Sequence, residues 1–195
     1  IQICNSSDDG RTNSCIDEDT IIHILQLIIG PNRIIKQKPR HWHDFKLFDY
    51  LYGWLPVNVK STTTLNADNI GNMTTCVQSL TPYNLILDKS YKNRPMSEIV
   101  LNSLETKAYN KNHKKDYYFL VLNKKNPEEI IVNSIKGLTE ITPNNNNLPF
   151  QIKWCINKQF NYTPIKILCK KILTIWKKPP PSWSENFLNN IRKIK

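Results

Sequence analysis

His43-Asp44-Phe45-Lys46-Leu47-Phe48-Asp49-Tyr50-Leu51, then Tyr52-Gly53-Trp54, then Leu55-Pro56-Val57-Asn58-Val59-Lys60-Ser61-Thr62, is the stretch on which the fold turns. Two short runs rich in β-formers flank a glycine-containing break, which reads as a β-hairpin. Side chains alternate along a strand, so Asn58 and Lys60 share one face. Asp44 opens the neighbouring strand and meets Asn58 across the pair when the register is right. One carboxylate, one amide oxygen and one ammonium then converge at the end of a sheet.

Outward from the hairpin, the chain alternates helical and extended patterns. Upstream, the acids Asp17, Glu18 and Asp19 precede an apolar run. This predicts a helix over Ile16–Ile29 that Gly30-Pro31 stops. Downstream, Thr64–Leu80 reads as a helix starting near Asn66-Ala67-Asp68 and ended by Pro82. Tyr117–Leu122 reads as a strand buried on two faces, with Glu129–Ile135 as its partner and Phe150–Trp154 as a further strand. Apolar residues at helical spacing predict a helix over Ile165–Trp176. Pro179-Pro180-Pro181 breaks it, and Ser182 with Glu185 forms a capping box for a last helix over Trp183–Ile191. The expected class is α/β (α+β), with a central mixed sheet flanked by helices. A single domain spans residues 1–195, with 1–15 as a polar, flexible end and the helices of 163–195 packed on the core.

The formal net charge of +11 exceeds what solubility requires and points to a polyanion, most commonly nucleic acid. A membrane partner is not expected: the longest apolar run, Ile21–Ile29, is interrupted by His23 and Gln26. The five cysteines are odd in number and form no C-x-x-C pair, which disfavours a disulfide framework or a zinc knuckle. Reduced thiols fit an intracellular location, bacterial cytoplasm or a virus-encoded protein in an infected cell. The chain begins with Ile, which leaves a trimmed leader open. The abundance of Ile, Asn and Lys matches an AT-rich genome. In so Asn-rich a chain, Asn72-Met73-Thr74 and Asn161-Tyr162-Thr163 carry no weight as glycosylation sites.

A carboxylate and an amide oxygen beside a lysine suit phosphodiester hydrolysis. A hard cation such as Mg²⁺ takes oxygen ligands and polarises the scissile phosphate. A neighbouring lysine orients water and stabilises developing charge. On these residues the chain resembles the PD-(D/E)XK nucleases, specifically type II restriction endonucleases. Asp44 matches the first acid, and Asn58-Val59-Lys60 stands where the family has acid-x-Lys. Pro56-Val57-Asn58-Val59-Lys60-Ser61-Thr62-Thr63 followed by Ala67-Asp68-Asn69 is similar to members that carry Asn at the second position. Leu148-Pro149-Phe150-Gln151-Ile152-Lys153-Trp154 is similar as well. Two departures stand out: His43 rather than Pro precedes Asp44, and Asn58 replaces an acid. Asp49 is the rival first acid.

The resemblance implies a Mg²⁺-dependent, site-specific deoxyribonuclease acting on double-stranded DNA. Asp44, Asn58 and the Val59 carbonyl would hold the metal, Lys60 would position water, and Glu18 from the first helix would add an acid. It also implies a homodimer on a palindromic site, or a monomer nicking in sequence, and a cognate DNA methyltransferase in the same genome. Two other roles fit the same residues. One is a repair or recombination nuclease recognising DNA structure; the other is a non-catalytic nucleic-acid-binding protein.

Further contacts to DNA are expected from several positions. His43, Ser61, Thr62 and Thr63 contact the DNA backbone in this reading, while the run of hydroxyl residues reads equally as β-favouring residues of a strand. Asn69, Asn145, Asn146, Gln151 and Lys153 are candidates for base edges, because Asn and Gln pair with adenine and Lys with guanine. A polar loop feeding a strand is the alternative for the later residues. His41-x-His43 is a weak transition-metal pattern. The basic runs Lys111–Lys115 and Lys170–Lys178 suit either a DNA cleft or solvated faces. The five tryptophans read as core rather than as base-stacking platforms.

Overall fold

The computed structural model describes residues 10–87, 94–144, 149–176 and 185–194, with backbone alone for 10–15 and 185–188. The hairpin forms as read. Strand β2 (Phe45–Asp49) pairs antiparallel with β3 (Gly53–Thr62), with Phe45 opposite Val57 and Asp49 opposite Gly53. Gly53 turns the chain at φ +72°, a conformation that disfavours residues with a Cβ. Strand β1 (Ile34–Lys36) adds outside β2. On the other side β5 (Tyr118–Asn123) runs parallel to β3, and β6 (Asn126–Ser134) returns antiparallel to it. The result is a five-stranded mixed sheet in the order β1-β2-β3-β5-β6.

A parallel pair needs a long crossover. Here it carries α2 (Met73–Leu80) and α3 (Met96–Glu105). Helix α1 (Gly10–Ile29) precedes the sheet and is ended by Gly30 at φ +105°. Alternation splits β3 and β5 between two cores. Val57, Val59 and Leu122 pack with Ile21 and Ile22 of α1. Phe119 and Val121 face the larger core, which also takes residues of α2, α3 and α4 (Ile165–Trp176), together with Ile191 of α5 (Glu185–Lys193). Among the described residues no helix is long and apolar enough to cross a membrane.

The segment after β3 departs from expectation. A helix over Thr64–Leu80 does not form along its whole length. Residues Ala67–Asn69 form β4, which pairs antiparallel with β7 (Gln151–Lys153) in a separate two-stranded sheet. Gly71 at φ +111° breaks the chain, and Asn72 caps α2 by accepting the Thr74 N–H at 2.9 Å. The strand expected over Phe150–Trp154 therefore exists but lies off the main sheet. β1 and α3 are additional to the elements that the sequence predicts. Pro179-Pro180-Pro181 and Ser182 of the expected capping box lie outside the described residues, as do residues 1–9 of the polar N-terminal end. Cys76, Cys155 and Cys169 are free thiols.

Candidate active site

β2 ends, in reverse direction, at Phe45, one pair before β3 reaches Asn58. Asp44 continues the ladder by donating its N–H to the Val57 carbonyl at 3.0 Å. Its side chain then closes the gap that β2 leaves. Oδ2 of Asp44 accepts the Val59 N–H and the Asn58 Nδ2–H, each at 2.7 Å. Backbone N–H and C=O of one strand residue point to the same neighbour. The Val59 carbonyl therefore faces the same side, beyond the end of β2. Asp44, Asn58 and Val59 are thus drawn to one spot, as the register required.

The Asn58 amide has only one orientation that satisfies a carboxylate, with nitrogen toward Asp44. That turns Oδ1 the other way, where it is shielded from solvent and has no hydrogen-bond partner among the described residues. An orphaned buried amide oxygen costs about 1–3 kcal/mol. Burial also raises the pKa of Asp44, and the Val59 N–H and the charge of Lys60 only partly offset it. Lys60 is half-buried on the same face of β3 as Asn58.

The site therefore presents one carboxylate held against its preference for charge, one orphaned amide oxygen and one main-chain carbonyl. All-oxygen donors suit a hard cation such as Mg²⁺ rather than zinc. Among the described residues no three His, Cys, Asp or Glu side chains converge as a metal site. A cation held here would depend on an amide and on the backbone for its other donors.

Asp49 does not join the Asp44–Asn58 cluster. Its Oδ1 accepts the N–H groups of Leu51 and Tyr52 at 2.8 and 2.9 Å, so it shapes the hairpin turn at the far end of β2. Glu18 is half-buried on α1, which packs on the opposite face of β3 from Asn58 and Lys60. The acid that α1 brings to the sheet is Asp17. It accepts from Ser61 Oγ at 3.1 Å and pairs with Lys124. Sequence periodicity already separates Asp17 from Glu18, since it shares the apolar helix face with Ile21.

The residues expected to contact DNA are placed differently from one another. His43 is 1% exposed and packed edge-on against His41 and Trp42, away from the exposed surface that a phosphate contact needs. Ser61 points to α1 and its hydroxyl is engaged by Asp17. Thr62 and Thr63 are half-buried where β3 exits. Lys115 of the first basic run is buried, its ammonium donating to the carbonyls of Thr81 and Tyr83. Asn145 and Asn146 lie outside the described residues. Asn69, Gln151 and Lys153 are brought together on the β4–β7 ribbon. Trp154 and Trp176 are core residues, as expected. No protein-family model and no curated protein matches the chain.

Proposed function

We propose that this protein is a type II site-specific deoxyribonuclease that hydrolyses phosphodiester bonds in double-stranded DNA with Mg²⁺. The observation that carries the reading is the Asp44–Asn58–Val59 cluster, with the Asn58 Oδ1 orphaned beside it and Lys60 on the same strand face. Asp44, the Asn58 amide oxygen and the Val59 carbonyl would hold the cation. A cation held there would supply Lewis-acid polarisation of a scissile phosphate and would lower the pKa of a water. Lys60 orients that water and offsets the charge that builds on the phosphate. Without the cation the Asn58 Nδ2–H holds Asp44 in place, and sharing a cation with Asp44 would need the amide to turn its Oδ1 toward that carboxylate. The +11 charge supports a DNA partner. A homodimer on a palindromic site and a partner methyltransferase belong to the same reading.

One feature favours a second reading, a non-catalytic DNA-binding protein: with Asn58 in place of an acid, a single carboxylate meets the cation. Plasmid digestion with purified protein separates the two. Discrete fragments that require Mg²⁺, vanish in EDTA and share one end sequence support the restriction reading. Cutting confined to junctions or mismatches supports a structure-specific nuclease. Binding without cutting in Mg²⁺ supports the non-catalytic protein.

A further inference from the structure

The two-stranded ribbon β4–β7 has no part in the site just described. Its register sets Asn69 opposite Gln151 and Ala67 opposite Lys153. Alternation gives it two unlike faces. Ile152 is fully buried, and next to the ribbon Trp154 is fully buried too, with its Nε1–H donating to Asp68 Oδ2 at 2.9 Å. Ala67, Asn69 and Lys153 are exposed on the other face, with Gln151 half-exposed between them. Thr142 extends the ribbon by exchanging two backbone hydrogen bonds with Gln151, at 2.9 and 3.0 Å.

The mounting is tied to the active site. Trp154 packs against Phe119, with ring centroids 5.2 Å apart, and Phe119 is the register partner of Asn58. The ribbon thus rests on the face of the sheet that carries Asn58 and Lys60. The Cys155 N–H also bonds the Thr64 carbonyl at 3.0 Å, fastening β7 to the exit of β3. A two-stranded antiparallel ribbon has the width that a DNA major groove admits.

The side chains on the outer face have base-reading chemistry. Asn144 donates from Nδ2 to Asn69 Oδ1, which leaves the Asn69 amide as a directed N–H donor. Among the described residues no hydrogen bond engages the Gln151 side-chain amide, so it can donate and accept at once. A primary amide used that way matches the N7 acceptor and N6–H donor of adenine. Lys153 is a point cation beside it and suits a phosphate.

Resting on the nuclease reading above, we propose that the β4–β7 ribbon is the sequence reader of this protein. It enters the major groove, where Gln151 selects an A·T pair, Asn69 donates to a neighbouring base acceptor and Lys153 holds the backbone. A randomised duplex pool cut in Mg²⁺ by the wild-type protein gives a consensus from the sequenced ends. The consensus contains an A·T pair at which Gln151→Ala relaxes the preference about 5- to 150-fold, the range a bidentate contact supplies. Preferences elsewhere stay unchanged. Wild-type protein acting on DNA with 7-deazaadenine at that position shows the same loss, a readout independent of any variant's folding. Lys153→Ala instead weakens binding to all sequences alike and lowers the salt slope by about 1. A Gln151→Ala protein that keeps every preference, or loses all cutting uniformly, overturns the reader while the nuclease stands. A wild-type protein that neither cuts nor selects any sequence overturns both.

Discussion

Asn58 holds a position where a second carboxylate would lie against Asp44. In the protein as it is, Asn58 Nδ2–H donates to Asp44 Oδ2 at 2.7 Å. Asn58→Asp removes that donor and sets two acids in one half-buried site, where one of them must stay protonated. Without a cation, the variant is expected to lose about 1–3 kcal/mol of stability. With Mg²⁺ it recovers more than the wild type does, because two charges then face the ion. Thermal melts in EDTA and across a Mg²⁺ titration check this. Equal Mg²⁺ responses in the two proteins would contradict the assigned ligands. His43 gives a residue-scale prediction away from the chemistry. Burial first, then the charges of His41 and Lys46, hold its pKa down at about 3, against an ordinary 6.5. The imidazole is neutral when folded and takes up a proton when unfolded. Its contribution to stability is complete above pH 6.5 and is lost as the pH falls from there toward 3. His43→Leu is expected to move the acid-unfolding midpoint to lower pH. An unchanged midpoint would place the acid sensitivity elsewhere.

At the scale of elements, the hairpin and its register were legible because two β-rich runs and a glycine turn leave few alternatives. The meeting of Asp44 with Asn58 followed from that register. Of the ribbon, the β7 strand was legible, but β4 and the pairing of the two were not. Ala67-Asp68-Asn69 is too short to show a period, and its partner Gln151–Lys153 lies far along the chain. Nor was the fate of the Lys111–Lys115 run. Lys115 reads as a surface charge, yet its ammonium satisfies the carbonyls of Thr81 and Tyr83, and Lys136 donates to those of Asn112, His113 and Lys115. Only the folded chain brings those carbonyls near. The two buried lysines bind the 106–117 connection to the segments that follow α2 and β6. Lys136→Met is expected to cost at least 1–3 kcal/mol, because buried carbonyls lose their donor. Chemical denaturation measures it, and a neutral result would mean that water replaces the ammonium.

For the whole molecule, the +11 charge predicts a strong salt dependence of DNA binding. Each neutralised phosphate releases counterions, so the logarithm of affinity falls linearly with the logarithm of salt concentration. A footprint of about 6–10 phosphates loses about 10³–10⁵ in affinity between 50 and 200 mM salt. Titrations at several salt concentrations read the slope, and a flat line would remove DNA as the polyanion. Charge alone does not make a nuclease, and that claim rests on Lys60. The most direct test is cleavage of plasmid in Mg²⁺ by Lys60→Ala beside the wild type, the two shown to melt alike and to bind DNA alike. The prediction is Mg²⁺-dependent cutting by the wild type and a loss of about 10²–10³ in rate for the variant. Equal cutting by the two proteins would put the active site somewhere other than the Asp44–Asn58–Lys60 cluster.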